Sequence, residues 1–88
     1  MTHPQNTVPA TQAEFEAVVR EAWAETLGHT EFADDEAFLS LDGANSLTAV
    51  RVMVGLGGRL GARLQARLIM RHPTVQDLAA AIREQVSP

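Results

Sequence analysis

The chain has 88 residues, a net charge of −4 and no cysteine. This length suits one small domain, and the lack of cysteine excludes disulfide bonds and thiolate metal sites. Because the three histidines are scattered without ligand-like spacing, we expect no metal and a compact apolar core as the source of stability.

Residues 1–10 contain two prolines and little that a core would bury, so they are predicted to form a flexible N-terminal tail. They lack the basic start and apolar run of a signal peptide, and no apolar stretch in the chain has the length of a membrane span. The sequence therefore predicts a cytoplasmic protein without membrane attachment, whose folded domain covers residues 11–86.

The first helix is predicted over residues 11–27. Thr11 and Glu14 have the spacing of a capping box, and Gly28 is a natural helix stop. Between them, apolar residues recur at helical spacing. These residues are Phe15, Val18, Val19, Ala22, Trp23 and Leu27. The stripe predicts a helix that faces a core and places Trp23 inside that core.

A long connection follows over residues 28–45. It begins with acidic residues, which we interpret as a solvated loop, and His29 is interpreted as a surface residue. Phe38, Leu39 and Leu41 then supply apolar anchors, so the segment is expected to pack over the helices. A loop of this length in a small domain is typical of a functional segment.

The second helix is predicted over residues 46–60, with Gly55, Gly57 and Gly58 weakening its C-terminal half. Its apolar residues form two stripes on a helical wheel. The first comprises Ala49, Val52, Met53, Leu56 and Leu60, and the second comprises Leu47, Val50 and Val54. One stripe is enough for the core, so the second is predicted to be an exposed docking surface.

A short helical turn is expected over residues 66–71, and a final helix is expected to begin at the N-cap Thr74. Ile69 and Met70 in the short turn are assigned either to an extension of the docking surface or to the core. No segment alternates as a strand would, so the sequence predicts an all-α fold of four helices, three longer and one short.

Asn45 and Ser46 stand where the second helix starts. One interpretation is that either residue is only an N-cap. The other is that the Ser46 hydroxyl carries a phosphate ester, because free backbone N–H groups and the positive end of the helix dipole favour an attached anion. Capping alone leaves the second apolar stripe, which begins at Leu47, without an explanation.

Three segments in register resemble the phosphopantetheine-binding carrier proteins of nonribosomal peptide and polyketide synthesis, and peptidyl carriers most of all. Residues 22–28 (AWAETLG) look like the end of the family's first helix, and residues 43–47 (GANSL) look like its modification motif. Residues 73–75 (PTV) look like the start of its last helix. The resemblance extends from about Phe15 to Val86. It departs from the family in one extra residue, Asp42, between Leu41 and Ser46, and in Asn45, where many members have aspartate or histidine.

The resemblance implies a monomeric, non-catalytic four-helix carrier. Ser46 would hold 4′-phosphopantetheine, derived from coenzyme A, and the thiol of that arm would carry aminoacyl intermediates as thioesters. Leu47, Val50 and Val54 match partner contacts of such carriers. The implied partners are a phosphopantetheinyl transferase, an adenylation or other loading enzyme, and condensation, tailoring or thioesterase enzymes. Since the second helix has arginines and no acids, we expect a broad-specificity transferase that docks through apolar contacts.

Three alternatives stay open. The first is a polyketide-type acyl carrier, and the second is an unmodified helical scaffold. The third is a nucleic-acid-binding module, because residues 43–76 contain five arginines and no acid whereas residues 1–42 contain nine acids and one arginine. The overall acidity, the lack of lysine and the lack of a helix-turn-helix pattern argue against nucleic acid. The charge separation instead favours oriented docking onto a protein partner.

Overall fold

The computed structural model describes residues 9–86, which form four α-helices. Helix α1 is Gln12–Leu27, α2 is Ser46–Leu60, the short α3 is Leu68–Arg71 and α4 is Val75–Val86. A single 3-10 turn, Phe38–Ser40, interrupts the connection between α1 and α2, and no strand occurs within residues 9–86. The predicted all-α fold with three longer helices and one short helix is confirmed. The predicted tail lies almost wholly outside the described residues.

Helix α1 begins and ends where its sequence predicts. The Thr11 hydroxyl accepts the Glu14 amide at 3.2 Å, and Glu14 Oε1 accepts the Thr11 amide at 3.0 Å, which completes the capping box. At the other end Gly28 adopts φ +82° and donates its amide to the Ala24 carbonyl at 2.8 Å. This left-handed conformation is one that glycine adopts without a steric penalty, so the helix stops there.

The core forms where α1 packs against α2 and α4. Trp23 is fully buried at its centre, with the Phe32 ring centroid at 5.6 Å and the Phe38 ring centroid at 4.9 Å in an edge-on arrangement. Both phenylalanines come from the long connection, which therefore closes over α1 as expected. Phe38 and Leu41 are buried anchors, but Leu39 is 48 % exposed, so its predicted anchoring role is wrong.

The acidic part of the connection is held in place by contacts with two helices. Arg20 on α1 pairs with Asp34 Oδ1 at 2.6 Å, donates to the Phe32 carbonyl, and lies over the Phe32 ring. The Asp34 carbonyl accepts the Gln76 amide at 3.2 Å, and the Phe38 amide donates to the Pro73 carbonyl at 2.8 Å. These contacts fix the loop to both α1 and the start of α4.

Helix α2 has the two predicted stripes. Its core stripe, Ala49, Val52, Met53 and Leu56, is buried, and Leu60 is partly buried against it. The helix stays regular through its glycines to Gly61, where φ is +64°. Arg59 near its C-terminal end pairs with Glu21 and Glu25 on α1, so acid and base that are far apart in sequence meet across this helix pair.

Helix α3 corrects one residue of the predicted docking surface. Ile69 is 1 % exposed and belongs to the core, because this short helix turns that side chain toward the bundle. Helix α4 begins after Thr74, whose hydroxyl accepts the Asp77 amide at 3.0 Å, as the sequence predicts. No helix within the described residues is long and apolar enough to cross a bilayer.

Candidate functional site at the start of helix α2

Ser46 is the first residue of α2 and its side chain is exposed, while the preceding residue, Asn45, is the cap. Asn45 Oδ1 accepts the Thr48 amide at 2.9 Å, and the Thr48 hydroxyl accepts the Asn45 amide at 2.7 Å. The capping interpretation is thus right for Asn45 and wrong for Ser46. The cap is complete without the Ser46 hydroxyl, which takes no part in it.

The surroundings of Ser46 suit an attached phosphate. Within residues 9–86 nothing accepts from the amides of Ser46 and Leu47, and no side chain hydrogen-bonds to the Ser46 hydroxyl. Free first-turn amides and the positive end of the helix dipole stabilise an anion at this position. The same part of the chain places no carboxylate or imidazole in hydrogen-bond contact with Ser46.

A tight turn presents the serine. The Ala44 amide donates to the Leu41 carbonyl at 3.1 Å, and Gly43 between them has φ +84°, a combination typical of a type II turn. Leu41, at one side of the turn, is buried in the core. The Asp42 carbonyl forms a hydrogen bond with the His29 ring nitrogen Nε2, at a distance of 3.0 Å. The extra residue noted in the sequence therefore lies inside an ordered turn.

An exposed apolar surface extends from the serine along α2. Leu47 is 61 % exposed, Val50 43 % and Val54 71 %, as their second stripe predicts, and Met70 on α3 is 47 % exposed. We call Leu47, Val50 and Val54 the α2 stripe. Exposed Leu39, in the 3-10 turn, was missed because the sequence made it an anchor. Apolar side chains left in water at this density mark contact surfaces.

The charge beside the α2 stripe is positive. Arg51 is exposed on α2 between Val50 and Val54 in sequence and forms no ion pair with any residue of the described range. Arg59 differs, because Glu25 and Glu21 raise the pKa of its guanidinium and hold it against α1. Residues 9–86 contain no group of His, Asp and Glu side chains that could hold a metal ion.

Residues 9–86 form an all-helical module with an exposed serine at a helix start and an exposed apolar surface beside it, and these are features of a carrier. The family model described as the phosphopantetheine attachment site matches residues 17–82. The chain belongs to this family of carrier domains, which are non-catalytic and hold 4′-phosphopantetheine covalently. The resemblance noted in the sequence is confirmed.

Sequence relatives include both peptide and polyketide synthases. The chain is 43 % identical over 70 residues to polyketide synthase GfsB of Streptomyces halstedii, covering 76 % of this chain and 1 % of the relative. It is 34 % identical over 70 residues to tyrocidine synthase 3 of Brevibacillus parabrevis, covering 80 % of this chain and 1 % of the relative. The chain thus corresponds to a very small part of these relatives.

Solved structures agree with the fold. BlmI, a type-II acyl-carrier-protein from Streptomyces verticillus involved in bleomycin biosynthesis, is 25 % identical with a TM-score of 0.79, and the match covers 86 % of this chain and 90 % of BlmI. A non-ribosomal PCP domain is 38 % identical with a TM-score of 0.64, and that match covers 82 % and 88 %. One is titled an acyl carrier and the other a PCP domain, so both are carriers like those that the sequence resembles.

Proposed function

We propose that Ser46 is the attachment point for 4′-phosphopantetheine and that the chain carries aminoacyl intermediates on this arm. The observation that carries the proposal is that Asn45, and not Ser46, caps the start of α2. Asn45 caps the helix, which leaves the Ser46 hydroxyl exposed and without a hydrogen-bond partner in the described residues. The serine oxygen would attack the phosphorus next to the pantetheine of coenzyme A, break the pyrophosphate bond and release adenosine 3′,5′-bisphosphate, which leaves a phosphodiester between Ser46 and the arm. Because no carboxylate or imidazole among residues 9–86 contacts Ser46, we expect the modifying enzyme to remove its proton.

The chain's own role is binding and presentation. The arm supplies a thiol that holds the substrate as a thioester, and the tether raises the concentration of that substrate at each docked enzyme. Loading, condensation, tailoring and thioesterase enzymes would visit one monomeric carrier in turn. Because the modification consumes coenzyme A, we expect this process to occur in the cytoplasm.

A second cargo class has its own support. Polyketide synthase GfsB is 43 % identical to the chain, whereas the non-ribosomal PCP domain is 38 % identical. We keep the aminoacyl cargo first, because residues 22–28 and 73–75 resemble peptidyl carriers. A polyketide-type acyl cargo is the alternative. Incubating the modified chain with an adenylating enzyme and amino acids, or with an acyltransferase and malonyl-coenzyme A, separates the two by the mass of the loaded protein.

Partner docking is assigned to the α2 stripe together with Met70. These apolar side chains are exposed in the free protein, and the stripe lies on the helix that Ser46 begins. No acid occurs between residues 43 and 76, so a transferase that selects an acidic second helix would find no partner for its charges. A broad-specificity transferase that docks on apolar surface fits better.

The test is the intact mass of the chain after incubation with coenzyme A, Mg²⁺ and a broad-specificity phosphopantetheinyl transferase. The wild type should gain one phosphopantetheine, and Ser46→Ala should gain none. Ser40→Ala is the matched control, because Ser40 is also an exposed serine just before α2 but donates its hydroxyl to the Ala37 carbonyl at 2.6 Å. This control should be modified like the wild type. A wild-type chain that stays unmodified with several such transferases contradicts the proposal.

A further inference from the structure

His29 joins two loops that meet beside the site. Its ring nitrogen Nδ1 accepts the Glu31 amide at 3.1 Å, and Nε2 lies 3.0 Å from the Asp42 carbonyl. A backbone amide can only donate a hydrogen bond and a carbonyl can only accept one. The two bonds therefore assign the tautomer in which Nδ1 carries no proton and Nε2 carries one. One neutral imidazole thereby bridges the end of α1 and the turn that leads into α2.

The bond to Asp42 selects one conformation of that turn. In a type II turn the closing hydrogen bond uses the first carbonyl and the fourth amide, here Leu41 and Ala44. The carbonyl of the second residue, Asp42, is left over and points out of the turn. Flipping the Asp42–Gly43 peptide would convert the turn to type I, abolish the positive φ of Gly43 and carry this carbonyl away from His29. His29 therefore favours the observed turn over its alternative.

The turn is coupled directly to the serine. Ala44 closes the turn and is followed by the cap Asn45 and then by Ser46, so the turn that His29 contacts lies directly before the cap and the hydroxyl. His29 itself is fixed, because it follows the Gly28 stop of α1 and its ring lies edge-on to Phe32, with 6.1 Å between ring centroids. The end of α1 thus supports the turn before Ser46 through one side chain.

We propose that His29 is a positioning residue for Ser46: its hydrogen bond to the Asp42 carbonyl holds the turn that presents the hydroxyl to the modifying enzyme. The consequence for modification rests on the proposed function of Ser46, whereas the consequence for the turn does not. The Asp42 side chain has no part in this bond, which uses only its backbone carbonyl.

The two halves of the bridge can be separated by substitution. Asparagine at position 29 keeps an acceptor for the Glu31 amide, in the manner of an Asx turn, but is too short to reach Asp42. Glutamine keeps an amide N–H near the position of Nε2 and so retains a donor for the Asp42 carbonyl. Thr30→Ala is the matched control, because Thr30 is exposed on the same loop and its side chain forms no hydrogen bond within the described range.

The first experiment measures nuclear Overhauser effects between Asp42 and the Gly43 amide by NMR in the unmodified full chain. A type II turn brings the Asp42 Hα close to the Gly43 amide, whereas a type I turn brings the Asp42 amide close to it. His29→Asn should weaken the Hα–amide effect and strengthen the amide–amide effect, and His29→Gln and Thr30→Ala should stay close to the wild type. An unchanged pattern in His29→Asn overturns the proposal, and this readout is valid even if Ser46 proves not to be modified.

The second experiment measures the steady-state kinetics of phosphopantetheine transfer to Ser46. His29→Asn should lower kcat roughly tenfold and leave KM nearly unchanged, because the docking stripe on α2 is intact while the hydroxyl is misplaced. His29→Gln should recover most of kcat. Equal losses in His29→Asn and His29→Gln would overturn the positioning role, and so would a change confined to KM.

Discussion

Asn45 and Thr48 exchange two hydrogen bonds across the first turn of α2, with each side chain accepting the backbone amide of the other. Thr48 also donates its hydroxyl to the Asn45 carbonyl at 2.9 Å. The pair caps the helix with residues on either side of Ser46 and Leu47. The site can therefore lose a serine hydroxyl to modification without losing the start of its helix.

Replacing Asn45 with alanine should destabilise the protein by about 1 kcal/mol, since the Thr48 amide loses its acceptor. Asn45→Asp keeps that acceptor and adds a negative charge near the helix N-terminus, so its stability should equal or exceed that of the wild type. Urea denaturation of the three proteins measures the difference. Wild-type stability in Asn45→Ala would show that Thr48 is not capped in solution.

Alanine substitutions at the glycines of α2 should change the free energy of unfolding in opposite directions. Gly55→Ala and Gly58→Ala should each raise the free energy of unfolding by about 0.5–1 kcal/mol, because an added Cβ meets nothing within 4 Å and alanine favours the helix. Gly57→Ala should lower it by about 1–3 kcal/mol, since its Cβ would lie 2.8 Å from the Ala62 carbonyl oxygen. Thermal and urea unfolding of the three variants decide the matter. A stabilising Gly57→Ala would contradict the close approach of the loop after α2.

Substitutions at two neighbouring residues of α3 should differ in their effect on stability, because one residue lies in the core and the other on the surface. Ile69→Val should cost about 0.5–1.5 kcal/mol of unfolding free energy because it removes a buried methyl group. Met70→Ala should change stability by less than about 0.5 kcal/mol because Met70 is exposed. Denaturant titrations of both variants provide the measurement. Equal effects at the two positions would mean that α3 is rotated relative to the structure.

The α2 stripe should act in docking and not in folding. Val54→Gln should leave stability within about 0.5 kcal/mol of the wild type, because Val54 is 71 % exposed. It should raise KM for the transferase severalfold while kcat changes little, since the loss is in ground-state contact. Arg63→Gln, beyond the far end of α2, serves as a surface control. An unchanged KM in Val54→Gln removes this residue from the docking surface.

Acid should weaken the start of α1 through Glu14. Hydrogen bonds from the Ala10 and Thr11 amides hold the pKa of Glu14 below its ordinary value of 4.5. The carboxylate therefore contributes stability above about pH 4.5, and this contribution disappears as the pH falls through the lowered pKa. Urea denaturation of the wild type and Glu14→Gln across acidic pH should give curves that converge at low pH. A constant difference between the two proteins would refute the assignment.

Local rules were enough to predict the helices. Thr11 with Glu14, Gly28, Gly61 and Thr74 mark helix ends through hydrogen bonds within a few residues, so their effect can be read from spacing alone. The exposed α2 stripe was predictable for a similar reason. Two apolar faces on one helix cannot both meet a single core, and the second had to remain in water.

What the sequence did not predict depends on contacts between distant segments. His29 looked like a surface residue because its partner Asp42 lies 13 positions away. Arg59 and its acids on α1 are separated by more than 30 residues, so their pairing appears only after the helices pack. Leu39 was misplaced and Ile69 could not be assigned between core and surface, because segments shorter than two helical turns carry too little periodicity to define an inward face.

The fluorescence of buried Trp23 can report on the position of the long connection. It is the only tryptophan in the chain, and its indole is enclosed by Phe32 and Phe38 from the segment between α1 and α2. Any partner or cargo that lifts this segment from α1 lets water reach the indole and shifts its emission to longer wavelength. The protein thus has a built-in fluorophore that reports, without a label, whether the loop before Ser46 stays closed during loading and transfer.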